Sequence, residues 1–341
     1  MSHKNRADRE PKSLFSAITS GIGTAAGLSI AVAGGWILYS NLMIDHDLPL
    51  PYAMNTERVE FESKTAGKLS YYVDRQKSGR PLVLLHSINA AASAYEMKPL
   101  FEHFRSSRPV YALDLPGFGF SGRPSRSYDP LLYEEAIGEW MVDQVGEPAD
   151  VIALSLGCEF AAAVSLKHPD LFHSLTLISP TGFGASAAGK RGKDGLYAFF
   201  THPVWRRPLF DLIVTRASLR FFLQKSFVGP LPPGISNYAF NTSHQPGAEY
   251  APLAFISGRL FTPAVRDSVY ARVAAPTLVL YDRDGYTSFE NLPIFLETNP
   301  AWRAVKLSPT FGLPHFEKLR ETVQELVVFW KEISSRNEDE I

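Results

Sequence analysis

The chain has 341 residues, with 34 Lys and Arg against 35 Asp and Glu, and its net charge of −1 gives no basic footprint for nucleic acid. Hydrophobic residues make up 45%, too many for a disordered chain, and the length suits two domains or one large domain with additions. The single cysteine, Cys158, excludes an intramolecular disulfide framework and any zinc site built from several thiolates.

From Leu14 to Ile44 there are 31 consecutive residues without a charge. A hydrocarbon core about 30 Å thick needs roughly 20 helical residues, so 14–44 is predicted as a transmembrane anchor behind a tail of 1–13. Lys4, Arg6, Arg9 and Lys12 precede the run, whereas Asp45 and Asp47 follow it. That asymmetry keeps the tail cytoplasmic and places the rest of the chain outside. Ala31-Val32-Ala33 also reads as a signal-cleavage site, but the apolar run continues through Trp36, Ile37, Leu38 and Tyr39, which favours an uncleaved anchor. Gly23, Gly27, Ala31 and Gly35 make a small-residue stripe along which two copies could associate in the bilayer.

Residues 45–56, with Pro49 and Pro51, read as a linker. Extended runs at Val59–Ser63 and Lys68–Asp74 flank Ala66-Gly67, a hairpin turn. Strands and helices then alternate: strand Pro81–His86, helix Ala91–Phe104, strand Val110–Leu113 and helix Leu131–Val145. Asp129 serves that last helix as N-cap and Pro130 as its first residue. Strand Val151–Leu154, helix Gly157–Lys167 and strand Leu175–Ile178 follow. Near the end come strand Thr277–Tyr281, helix Ser288–Glu297 behind a Thr287-x-x-Glu290 capping box, and strand Ala304–Leu307. A closing helix carries Phe316, Leu319, Val323, Leu326, Trp330 and Ile333 at helical spacing.

Strands this apolar are buried on both faces, so the expected fold is α/β, a mostly parallel central sheet with helices on both sides. That domain spans 57–336. Its alternation breaks over 183–273, a stretch too long for an ordinary loop, which predicts an inserted helical lid. Fourteen aromatic residues between Gly184 and Val273 divide between the lid's own core and an apolar substrate pocket.

The run Ala153-Leu154-Ser155-Leu156-Gly157 places a serine on a tight turn from an apolar strand into an Ala-rich helix. Small residues two positions either side permit the strained turn, which projects Ser155 above the sheet and offers the Leu156 amide as an oxyanion donor. A serine hydroxyl needs a base and a carboxylate to orient it. His315, opening a helix after the last strand, is the best placed of the nine histidines. Asp284 is the preferred acid and Asp282 the alternative, both in the loop after Thr277–Tyr281. His86 ends a strand and braces the loop that follows it. No residue cluster calls for a metal or an organic cofactor.

Together these residues resemble the α/β-hydrolase superfamily, in its lid-bearing branch of esterases, lipase-like enzymes and carbon–carbon bond hydrolases. The motifs fall in the family's order: His86-Ser87, then Asp114-x-Pro-Gly-x-Gly-x-Ser121, then Ser155, Asp284 and His315. Ala153 replaces the glycine that usually opens the elbow, and Ser87 replaces the glycine of the oxyanion loop. The second oxyanion donor is then the Ile88 amide by preference, or Ser87 itself. Phe316 stands where related hydroxynitrile lyases carry a lysine, which argues against that chemistry. Ser155 excludes the branches with an aspartate nucleophile.

The resemblance implies a serine hydrolase that forms an acyl-enzyme from an ester of an apolar acyl or alcohol group, and the uncharged run 14–44 adds a membrane anchor. Cleavage of a carbon–carbon bond by the same triad is the alternative, and a ligand sensor without turnover is a third reading. The implied partners are a small apolar ester and a lipid bilayer, with no nucleic acid.

Overall fold

The computed structural model describes residues 32–185 and 194–339. It divides into two units, Met1–Ile44 and Asp45–Ile341. In the first, residues 32–43 form a helix, α1, and the rest of the run read as an anchor, 14–31, lies outside the described residues. Among the described residues no helix is long and apolar enough to cross a membrane.

The second unit is built on an eight-stranded sheet in the order β1-β2-β4-β3-β5-β6-β7-β8. β1 (Glu57–Ser63) and β2 (Gly67–Asp74) form the expected hairpin, closed at Gly67 with φ +75°. β2 is also antiparallel to β4 (Val110–Asp114), which returns the sheet to parallel pairing with β3 (Leu82–Leu85). β5 (Ala149–Leu154), β6 (Phe172–Ile178), β7 (Thr277–Arg283) and β8 (Trp302–Phe311) continue it in parallel.

Alternate residues of the central strands feed two cores, one on each face. Val83, Leu85, Val151, Ala153, Leu175, Leu177 and Val279 enter one, packed against Tyr133, Trp140 and Phe160 of α3 (Pro130–Trp140) and α4 (Gly157–Lys167). Leu82, Leu84, Ile152, Leu154, Ile178, Leu278 and Leu280 enter the other, facing α2 (Lys98–Phe104) and the C-terminal helix. Burial on both faces is what makes these strands uniformly apolar in sequence.

Several elements differ in extent from their sequence-based prediction. The Ala91–Phe104 helix shortens to a 3-10 turn, Ala94–Met97, and α2, because the Ala94 amide donates to Asp114 Oδ1 at 2.9 Å and Pro99 opens the helix proper. α3 begins at Pro130, with Asp129 accepting the Leu132 amide at 3.0 Å, and ends in a π-helical turn over Met141–Val145. The Thr287 capping box does not form. Glu290 instead accepts the Ser288 hydroxyl at 2.6 Å, and the helix starts at Leu292 beside Pro293.

Among the described residues between β6 and β7 lie six α-helices: α5 (Asp194–Phe200), α6 (Arg206–Ile213), α7 (Arg216–Gln224), α8 (Ile235–Ser243), α9 (Tyr250–Ile256) and α10 (Val265–Ser268). They carry a small core of their own around Phe210, Val214, Leu219, Ala239, Ala248 and Leu253. The segment read as a linker lies against this insert. His46 Nε2 meets Asp211 Oδ1 at 3.0 Å, and Gln245 Nε2 donates to the Leu48 carbonyl at 2.6 Å. α11 (Leu292–Glu297), α12 (Pro314–Glu317) and α13 (Leu319–Asp339) complete the chain.

Candidate active site

The C-terminal ends of the parallel strands converge on one cavity of about 270 Å³. It is lined by Ser87, Ile88 and Asn89 after β3, Leu154 and Ser155 after β5, Asp284 after β7, and Gly312 and Leu313 after β8. In an open parallel sheet this is the edge where ligands bind.

Ser155 holds φ +52°, the left-handed region that a side chain adopts at a cost of about 1–3 kcal/mol. The strain is held from below. The Ser155 amide donates to the Ile178 carbonyl at 2.9 Å, and the next turn closes through the Cys158 amide to the Ser155 carbonyl at 3.1 Å. A Cβ at Gly157 would stand 2.5 Å from the His86 carbonyl oxygen, so only glycine lets α4 approach β3 this closely. Cys158 is fully buried and donates its thiol to the Ala153 carbonyl at 3.2 Å, the packing role of a small side chain.

The loop after β3 is tied at several points. His86 donates from Nδ1 to the Ser87 carbonyl at 2.6 Å and accepts the Leu115 amide on Nε2 at 2.9 Å. Burial lowers its pKa to about 3, so the ring is a neutral brace. The Ser87 amide donates to Glu96 Oε2 at 2.9 Å, which removes Ser87 as an oxyanion donor. Among the described residues the amides of Ile88 and Leu156 have no hydrogen-bond partner.

The two candidate acids separate clearly. Asp284 reaches the cavity, where its Oδ1 accepts the amides of Tyr286 at 2.7 Å and Thr287 at 3.2 Å. Burial raises its pKa, and those two amides oppose the rise. Asp282 instead accepts the Thr310 amide at 2.9 Å and holds β7 to β8.

His315 is fully buried on α12, but it touches neither Ser155 nor Asp284 by a hydrogen bond. Its Nε2 donates to the Glu96 carbonyl oxygen at 2.7 Å, and its Nδ1 is buried without a partner. Burial lowers its pKa to about 4. Its short helix is pinned by Glu317, whose Oε1 accepts the Val228 amide at 2.6 Å and whose Oε2 accepts the Phe311 amide at 2.9 Å. Ser155, Asp284, Ile88 and Leu156 thus gather at one strand edge, with His315 parked on the neighbouring turn.

A model of the alpha/beta hydrolase family matches residues 82–323, well over half of the chain. The chain belongs to this family. Over 110 residues it is 38% identical to a 1-acylglycerol-3-phosphate O-acyltransferase of Rattus norvegicus, covering 31% of this chain and 31% of that protein. Over 113 residues it is 30% identical to a (lyso)-N-acylphosphatidylethanolamine lipase of Homo sapiens, covering 32% of each. These matches span about a third of the curated relatives' length. Among solved structures, a membrane phospholipase A described as a bacterial virulence factor aligns with TM-score 0.66 and 19% identity, covering 94% of this chain and 98% of its own. An esterase of Exiguobacterium antarcticum aligns with TM-score 0.60 and 18% identity, covering 82% and 100%. At these identities the structures share the fold.

Within this alpha/beta hydrolase, the motif Asp114-x-Pro-Gly-x-Gly-x-Ser121 is structural. Asp114 is fully buried and accepts the amides of Ala94 and Phe120, each at 2.9 Å, and Ser121 donates to its carbonyl. The cavity wall contributed by the insert is mostly aliphatic, with Ile213, Leu219, Leu223, Ile235 and Ile256, and only Phe222 and Phe255 are aromatic. Of the aromatic residues expected to divide between the insert's core and the pocket, Phe210 lies in that core, Phe222 and Phe255 line the cavity, and Phe199 and Phe221 are exposed. Sequence reading missed Glu96 and Glu317: Glu96 accepts the Ser87 amide and the Asn89 side-chain amide, and Glu317 accepts backbone amides. Among the described residues no group of His, Cys, Asp and Glu side chains could hold a metal ion.

Proposed function

We propose that the chain is a serine hydrolase that cleaves an ester of an apolar acyl or alcohol group through an acyl-enzyme. The observation carrying this is Ser155 at a left-handed turn, opening into a mostly apolar cavity that also holds Asp284 and the Ile88 amide. Ser155 Oγ attacks the carbonyl and His315 takes its proton. The Leu156 and Ile88 amides hold the oxyanion, and Asp284 stabilises the imidazolium. For this, His315 leaves the Glu96 carbonyl, its proton passes from Nε2 to Nδ1, and the ring turns the bare Nε2 toward Ser155 and Nδ1–H toward Asp284. His315 gives the proton taken from Ser155 to the leaving alcohol as the ester C–O bond breaks, which forms the acyl-enzyme. Water then attacks the acyl carbon with His315 again as base, and return of the proton to Ser155 Oγ releases the acid. The relatives' names support acyl chemistry, since one is an acyltransferase of acylglycerol phosphate and another an acyl-phospholipid lipase. In this reading 183–273 is the lid over the cavity, and the uncharged run 14–44 anchors the enzyme in a membrane with the catalytic unit outside the cytoplasm.

Labelling by a fluorophosphonate probe tests the nucleophile. The wild-type chain takes the label and Ser155→Ala does not; label surviving the substitution would sink the assignment. A second reading, a ligand-binding protein without turnover, is favoured by one observation, the engagement of His315 with Glu96 instead of Ser155. It predicts that an apolar ligand binds the wild-type chain while neither label nor ester turnover is seen.

A further inference from the structure

Glu96 sits on the turn Ala94–Met97, is 8% exposed, and lines the same cavity as Ser155. Its two carboxylate oxygens have separate donors. Oε2 accepts the Ser87 amide at 2.9 Å, and Oε1 accepts Asn89 Nδ2 at 2.7 Å. Asn89 in turn accepts the Ala91 amide on Oδ1 at 2.8 Å and donates to Ser87 Oγ at 3.0 Å. With His86 holding the Ser87 carbonyl, both polar groups of the Ser87 main chain are committed.

A backbone amide has one proton to give. Committed to a carboxylate, the Ser87 amide cannot serve an oxyanion, which leaves Ile88 of the two candidate donors. The segment His86–Ala91 contains no glycine to let the loop choose otherwise. The selection requires an acceptor at both terminal atoms of residue 96, which a carboxylate provides and an amide does not.

We infer that Glu96 is a positioning residue of the oxyanion hole, holding Ser87 and Asn89 so that the Ile88 amide faces the carbonyl bound at Ser155. This rests on the serine hydrolase reading above.

The test is an exchange of groups across the contact. Glu96→Gln turns an NH2 toward a donor, and Asn89→Asp sets two carboxylates face to face. In the double variant Glu96→Gln/Asn89→Asp, amide and carboxylate trade places and every donor again meets an acceptor. Turnover of p-nitrophenyl butyrate is measured per active site, with sites counted by the fluorophosphonate probe and folding followed by thermal melting. Each single variant should lose about 10²-fold or more in kcat with KM within about twofold, because removing an oxyanion donor acts on the transition state. The double variant should return to within about tenfold of wild type. A residue that only stabilised the fold would lower the melting temperature and leave kcat per titrated site unchanged, and that result overturns the inference. So does a double variant no better than the singles. Should a single variant fail to fold, the double variant decides alone, since recovery of folded, active protein requires the exchange to be complementary. Wild-type protein that neither turns over the ester nor takes the probe would sink the hydrolase reading and this inference together. Active wild type with an unaffected Glu96→Gln sinks the inference only.

Discussion

His315 donates Nε2–H to the Glu96 carbonyl oxygen at 2.7 Å, which engages the ring with the turn behind the oxyanion loop. The neutral tautomer leaves Nδ1 unprotonated in a buried site with no partner. Burial of the ring lowers its pKa to about 4, below the usual imidazole value near 6.5. The form able to accept a proton from Ser155 therefore persists into acid. We expect kcat/KM for an uncharged ester to hold its plateau to about pH 5 and to fall as pH drops through about 4. An acid limb between pH 6 and 7 would show instead that the free enzyme holds this ring in a wetter place, or already paired with Asp284.

Asp284 and Asp282 make separable predictions because they are occupied differently. Asp284 faces the cavity, and a Cβ at Gly312 would lie 2.8 Å from its Oδ2, so the glycine leaves the carboxylate room beside the chain that leads to His315. Asp284→Asn keeps the shape but loses the charge that stabilises an imidazolium. It should lower kcat by about 10³–10⁴-fold with little change in melting temperature. Asp282→Asn disturbs the acceptor of the Thr310 amide and should lower stability by about 1–3 kcal/mol, leaving kcat within about tenfold. Reversal of the two effects, read by steady-state kinetics and thermal melts, would exchange the roles.

What could be read from sequence was local. Ser155 is legible because strand, small residue, serine and Gly157 sit within a few positions, and each is demanded by one turn. Asp129 and Pro130 are legible for the same reason. Glu96 was not: its spacing fits the helix expected there, and its function arises only when the loop after β3 folds back over the 3-10 turn. The contact of His46 with Asp211 spans 165 positions and depends on where the insert comes to rest. The parking of His315 was hidden for a similar reason, because its partner is a main-chain carbonyl that carries no side-chain signature.

Gly157 gives a sharp steric prediction. A Cβ there would meet the His86 carbonyl oxygen at 2.5 Å, and that backbone atom has no rotamer by which to escape. Gly157→Ala should cost about 1–3 kcal/mol as an overpacked site. Because His86 directly precedes Ser87 and Ile88, the same shift moves the loop after β3, which lines the cavity, so on the proposed mechanism kcat should drop further than the loss of folded protein explains. Gly195→Ala is the control, since nothing lies within 4 Å of its added carbon. It should leave kcat unchanged. Equal behaviour of the two variants would mean that β3 and α4 separate easily.

Glu159 connects α4 to the insert and makes stability depend on pH. It is 1% exposed; its Oε1 accepts the Thr181 hydroxyl at 2.5 Å and its Oε2 accepts the Thr262 amide at 2.7 Å. Burial raises its pKa to about 7, against 4.5 for an ordinary glutamate, and the two hydrogen bonds only partly oppose the rise. A folded-state pKa above the unfolded one gives a contribution that is complete below about pH 4.5 and is lost as pH rises through about 7. The full swing is on the order of 3 kcal/mol. Glu159→Gln cannot titrate, so it should show a constant penalty from one mismatched hydrogen bond and none of this slope. The melting temperature of wild type minus that of the variant should therefore be greatest at pH 5, fall as pH rises through about 7, and change sign where the loss exceeds the constant penalty. Other titrating groups are common to both proteins and cancel in the difference. Parallel melting curves across that range would mean that Glu159 is ionised at no cost, with water reaching it between α4 and the insert.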